Sequence, residues 1–190
     1  MAYYIIYNNT QIFIAERAEA LTNLYPDYTP QVLPADYNSE KYQVVNGALV
    51  LNPDYDAEQL ARAKANKYEE ANSKAFEYLE SGEAIFTYEE GRSIEATDGN
   101  IAKLGLYLVK LLMHEDYTST IEWNTKENEN VQLNAEQLSY ITEGLGAIQT
   151  EVWTVKFPAY NAAIEAAETV EEVNAIEIDY SVEVEAEVEE

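Results

Sequence analysis

Up to Leu51, apolar and aromatic residues come in short runs broken by turn formers, the rhythm of small strands. Tyr3–Tyr7 and Gln11–Ile14 flank Asn8-Asn9 and predict a hairpin. Ala15–Leu24 has the length of a short helix. Pro26, Pro30 and Pro34 follow at four-residue spacing, and because each fixes φ and drives its predecessor toward extended geometry, Tyr25–Asp36 reads as an extended connector. Tyr42–Val45 and Ala48–Leu51 surround Asn46-Gly47, the dipeptide that tolerates the positive φ of a type I′ turn, and predict a second hairpin.

From Asn52 onward the spacing turns helical. Asn52 or Asp54 can cap a helix with Pro53 near its first turn; the helix runs to about Glu80 and stops at Ser81-Gly82. Its stripe is mostly alanine, with Leu60, Tyr68, Phe76 and Leu79 as larger anchors, so it either packs closely on a neighbour or serves as a connector. Ile85–Tyr88 and Arg92–Ala96 then form a strand pair around Glu89-Glu90-Gly91, and Asp98 or Asn100 caps a helix from Ile101 to about His114. That helix carries two apolar stripes, Ile101, Leu104, Leu108 and Leu111 on one side and Leu106, Val109 and Met113 on the other. The expectation is a helix buried nearly all round.

A third strand pair, Thr120–Trp123 with Asn130–Leu133, leads into Asn134-Ala135-Glu136-Gln137, which has the form of a capping box. The helix behind it places Leu138, Ile141, Leu145, Ile148, Val152 and Val155 at alternating spacings of three and four. This seam packs inside the chain or pairs with a second copy. Trp153, Phe157, Tyr160 and Ile164 continue another face past Pro158, where a kink or break is expected. Thr169–Glu172 opens a short helical turn, and Ile176–Val188 alternates apolar and acidic residues, as an edge strand or as a tail mobile beyond about Tyr180. The predicted class is α+β: an N-terminal β region (1–53), a connecting helix (54–82), a domain of hairpins and two amphipathic helices (83–176), and an acidic tail (177–190).

Charge narrows the function classes. The 36 Asp and Glu residues outweigh 11 Lys and Arg, a formal net charge of -25. No basic face exists to displace counterions from a phosphate backbone, so nucleic acid is not an expected partner, and an anionic membrane surface is repelled. A basic protein partner is steered in, while solubility alone also accounts for the acidity. No run approaches the ~20 apolar residues of a membrane span. Met1–Ile14 has no basic leading segment and is broken by Asn8–Gln11, unlike a secretory signal.

Chemistry finds little to use. There is no cysteine, and the one histidine, His114, sits at a predicted helix C-terminus, where the dipole favours it structurally. No nucleophile elbow, phosphate-cradling loop or Asp-rich calcium loop occurs, and Gly144-Leu145-Gly146 inside a helical pattern suggests a close helix contact. The expectation is no catalytic residue, no metal and no cofactor. Of 16 tyrosines, seven lie before residue 43, and Tyr3, Tyr4 and Tyr7 join the helical seam as expected contact residues, since tyrosine is enriched at interfaces.

Several segments together resemble a domain of unknown function that recurs in bacteriophage tail-fibre and tail-fibre-assembly proteins. They are Phe86–Ile94 with Asp98 and the Ile101–Met113 helix, Ile121-Glu122-Trp123, Val131–Leu138, and Ala163–Ile176, about half of the chain. Val44–Pro53 running into a charged helix is similar to openings of small phage tail proteins. The resemblance implies a structural or assembly role exercised by protein contact, in the virion tail or in the host cytoplasm during assembly. Implied partners are other tail or fibre proteins, or further copies in a homo-oligomer. The alternative is a carbohydrate-binding module that uses the tyrosine-rich N-terminal region.

Overall fold

A computed structural model describes residues 3–7, 12–46, 48–113 and 119–182. The chain is α+β and divides into two compact units, Met1–Ala61 and Arg62–Glu190.

In the first unit, β1 (Tyr4–Tyr7) pairs antiparallel with β2 (Ile12–Ala15), Ile5 opposite Ile14 and Ile6 opposite Phe13. The expected hairpin is therefore present, with its turn outside the described residues. The short helix is α1 (Ala18–Leu24). Beyond it the proline-spaced connector contributes a third strand. β3 (Gln31–Val32) pairs antiparallel with β1, giving the order β2-β1-β3. Two residues between Pro30 and Pro34 carry no period that sequence can reveal, and the open edge of β1 supplies the pairing. Ile5, Ile6 and Leu21 form the buried centre, and Phe13 stacks on Tyr25 with ring centroids 4.3 Å apart.

The second expected hairpin is β4 (Tyr42–Val45) with β5 (Ala48–Leu51), and Asn46 takes φ +51°, as its turn requires. Helix α2 (Tyr55–Glu80) follows, introduced by Asn52, whose side-chain oxygen accepts from the Asp54 backbone N–H at 3.1 Å. Its first turns belong to the first unit and the rest to the second.

In the second unit α2 buries Ala71, Ala75 and Leu79, a four-residue repeat whose small side chains let the backbone approach its neighbours. Gly82 ends it at φ +81°, with the Glu95 carboxylate where a Cβ would stand. Two hairpins follow, separated by a helix over Asp98–Met113: β6 (Ile85–Glu89) with β7 (Arg92–Glu95), and β8 (Ile121–Asn124) with β9 (Asn130–Leu133). The turn of the second is clamped to the first. The Lys126 N–H donates to the Ser93 carbonyl at 2.9 Å, and the Ser93 N–H and hydroxyl both donate to the Glu127 carboxylate, the former at 2.9 Å. Lys126 Nζ reaches the Gly82 carbonyl at 2.6 Å. The donors from Ser93 hold the Glu127 carboxyl well below its usual range, at about 2.

Helix α4 (Ala135–Thr150) opens with the expected capping box: Asn134 accepts from the Gln137 N–H, and the Gln137 side chain accepts from the Asn134 N–H. The chain does not break at Pro158. It passes through a π-helical turn (Glu151–Lys156) into α5 (Phe157–Ala166), and the Phe157 N–H reaches back five residues to the Val152 carbonyl. The widened turn relieves the clash that a proline ring makes with the carbonyl four residues earlier. A second capping box on Thr169 starts α6 (Val170–Asn174).

Beyond α6, residues 176–182 run without a strand partner, yet they are fixed. Ile178 and Tyr180 are buried, and the Tyr160 hydroxyl donates to the Asp179 carbonyl at 2.7 Å. The Val182 N–H donates to the Tyr78 hydroxyl at 3.0 Å. Burial pushes the Tyr180 phenol up to about 12. The alternation is thus an inside–outside pattern of a packed segment; the tail expected beyond it falls outside the described residues.

The close approach at Gly144 is made by a strand residue and not by a helix: a Cβ there would stand 2.3 Å from the Phe86 ring, whereas at Gly146 it would meet nothing within 4 Å. Gly144→Ala is expected to destabilise by about 1–3 kcal/mol through overpacking, less whatever helix propensity returns. Gly146→Ala should stabilise by roughly 0.5–1 kcal/mol. Equilibrium denaturation of both variants checks the pair of signs. Because the Glu127 pKa is lowered on folding, from the usual 4.5 to about 2, its contribution is complete above the higher value and lost as pH falls through the lower. Stability curves of the natural protein and of Glu127→Gln should therefore differ at neutral pH and converge on acidification across that window.

Candidate interaction surface

Helix α3 (Asp98–Met113) follows β7. Its N-terminus is capped by Thr97, not by Asp98 or Asn100 as expected: the Thr97 hydroxyl accepts from the Asn100 N–H at 3.2 Å. The Asn100 amide instead donates to the Glu95 carbonyl, and Gln149 Nε2 donates to the Ala96 carbonyl and the Asp98 carboxylate, each at 3.1 Å. These bonds tie the start of α3 to β7 and α4.

The helix packs on α4 along one stripe only. Leu104 and Leu111 are buried, with Ile101 and Leu108 packed at the margin of the core. The expectation of burial on nearly all sides does not hold. Leu106 is 69% exposed and Met113 78%, with Tyr107, Val109 and Leu112 also at the surface. The second stripe was visible in the sequence, but its covering was not: periodicity gives the angular position of a residue and says nothing of whether a neighbour occupies that side. From Gly99 to Met113 the helix has no acidic residue, and its charges are Lys103 and Lys110. In a chain of net charge -25 this is an apolar, acid-free face.

The expected contact residues are placed elsewhere. Leu138, Ile141, Leu145, Ile148 and Val152 are completely buried within the second unit, so the seam is core and not an oligomer contact; Val155 alone of the six is exposed. Tyr3 is exposed, Tyr4 opens β1, and the Tyr7 hydroxyl donates to Gln31 at 3.1 Å. Other N-terminal tyrosines are engaged internally: Tyr25 on Phe13, and Tyr42 stacked on Tyr37 with its hydroxyl on Asp36. That hydroxyl and Lys41 hold the Asp36 carboxyl below the usual range, with the Lys41 bond the larger cause.

Among the described residues no group of three or more His, Cys, Asp and Glu is arranged to hold a metal ion, and His114 lies outside them. No helix among them is long and apolar enough to cross a membrane. The class defined is an α+β protein whose most exposed large apolar side chains, on helices, include a lysine-flanked face of α3. Comparison with protein families, with curated proteins and with solved structures finds no match.

If nothing within the chain covers this face, Leu106→Asp and Met113→Asp should change unfolding free energy by no more than about 0.5 kcal/mol. Leu104→Ala, on the opposite stripe, should cost about 2–5 kcal/mol. Denaturant titration of the three variants separates the two sides.

Proposed function

We propose that this protein is a structural or assembly component of a bacteriophage tail, acting by protein–protein contact and without catalysis. One observation carries the contact mechanism: a regular helix leaves Leu106, Tyr107, Val109, Leu112 and Met113 uncovered side by side, a grouping that marks interaction sites rather than ordinary surface. The tail assignment rests on the segments quoted above as resembling tail-region domains.

Electrostatics supports the same face. Two strongly acidic surfaces repel, so contact is least opposed where carboxylates are missing, and α3 is acid-free over fifteen residues, Gly99–Met113. Apolar side chains supply the affinity there, while Lys103 and Lys110 offset part of the repulsion from an acidic partner or a second copy.

The test is co-purification of the full chain with the tail and fibre proteins encoded alongside it, together with the native mass of the isolated protein. The expected result is a stable complex or a defined oligomer that Leu106→Asp/Val109→Asp/Met113→Asp weakens by at least about tenfold, corresponding to ~1.4 kcal/mol, while the fold persists. A strict monomer that associates with no tail or fibre component removes the reading, as does a complex indifferent to the triple substitution.

A further inference from the structure

Two cations of the second unit are left unpaired among its described residues. Lys64, Lys67, Lys74, Arg92, Lys126 and Lys156 each donate to a carboxylate or a backbone carbonyl. Lys103 and Lys110 are exposed and have no such partner among the described residues. Both stand on α3, where Lys103, Leu106, Lys110 and Met113 follow one another at spacings of three, four and three, so cation and apolar side chain alternate along one stripe. In a chain with 36 acidic residues, two ammonium groups without a carboxylate, set beside exposed leucine and methionine, form a surface for a ligand that is both acidic and apolar.

The chain itself carries a segment of that composition. Residues 183–190 hold Glu183, Glu185, Glu187, Glu189 and Glu190 together with Val184, Ala186 and Val188, five acids in eight residues. The apolar members keep the phase of Ile178 and Tyr180, which are buried. In an extended chain such alternation puts the valines on one face and the glutamates on the other. The valines can then lie on Leu106, Val109 and Met113 while the long lysine stems carry their ammonium groups past them to the glutamates.

Geometry favours the segment of a second copy over that of the same chain. The segment leaves from Val182, whose N–H is held by the Tyr78 hydroxyl, whereas α3 starts at the Glu80 carboxylate, which accepts from the Asp98 N–H at 3.1 Å. Tyr78 and Glu80 are two positions apart on α2, about 200° around the helix, so they project on opposite sides. A segment of the same chain has to round α2 and then pass about 12 Å along α3 before it meets Leu106. Eight residues span at most about 26–29 Å. Charge adds a second reason. A contact of α3 on α3 brings two acidic bodies together and sets lysine against lysine, whereas an arm of that length can hold them further apart than the ~8 Å over which charges interact at physiological salt. We infer that the α3 face binds residues 183–190 of a second copy. Each copy offers one face and one arm, a head-to-tail contact that closes into a ring or continues as a filament. The inference rests on the contact reading of α3 and names its occupant.

The test is a charge swap on the full chain, read by sedimentation and native mass. Lys103→Glu/Lys110→Glu reverses the face, and Glu183→Lys/Glu185→Lys/Glu187→Lys/Glu189→Lys reverses the arm. Lys103 and Lys110 are exposed and unpaired, so the melting temperature of the first variant should stay near that of the natural protein. The natural chain is expected to self-associate, and each variant alone to do so at least about tenfold more weakly. An equimolar mixture of the two variants should recover the association as a complex of both, because reversed arms then meet reversed faces and natural arms meet natural faces. A substitution that merely damages the fold is not rescued by mixing. The inference is overturned if the natural chain stays monomeric at every concentration, if its association ignores both variants, or if mixing restores nothing. A monomer that still binds tail or fibre proteins, and loses them in Leu106→Asp/Val109→Asp/Met113→Asp, overturns the inference while the contact reading stands; absence of any association that depends on α3 removes both.

Discussion

The Phe86 ring lying on the bare backbone of Gly144 is the contact on which the second unit depends. Phe86 sits on β6 and Gly144 inside α4, so the contact presses the β6–β7 hairpin against the helix at a distance no side chain would permit. Leu138, Ile141, Leu145, Ile148 and Val152 carry the same helix through the core above and below that point. With α4 fixed on the hairpin, Gln149 can reach Ala96 and Asp98, which sets where α3 begins, and Ser93 on β7 can hold the β8–β9 turn. The stripe of α3 that packs on α4, and so the stripe left exposed, follows from where the helix begins.

Much of this was legible because it is local. Asn-Gly between two apolar runs, a capping box at Asn134 and another at Thr169, and Ser-Gly after a charged helix each act over three or four residues, and each element lies where its signal places it. The seam on α4 was equally clear as a periodicity, and complete burial resolves which of its two readings holds. Thr97, Asp98 and Asn100 are all good caps by residue type; only the backbone direction entering the helix decides among the three.

What sequence did not give is non-local. β3 exists because β1 has an open edge, and nothing within Gln31-Val32 records that. Pro158 predicts a kink or a break, and sequence does not say which; a π-helical turn absorbs the ring without a break and keeps the Trp153–Phe157 contact at 5.3 Å.

The net charge takes on a different meaning once the residues are placed. A charge of -25 opposes association with another acidic surface, and it opposes least along a helix that carries two lysines and no acid over the length of its exposed stripe. Were α3 simply an amphipathic helix with a solvated outer face, glutamates would be the natural occupants of positions 106, 109 and 113 in so acidic a chain. Leucine, valine and methionine stand there instead, exposed on a helix whose opposite stripe already packs on α4. Side chains so exposed bury little area when the unit folds, so their presence is better explained by contact with something outside the chain.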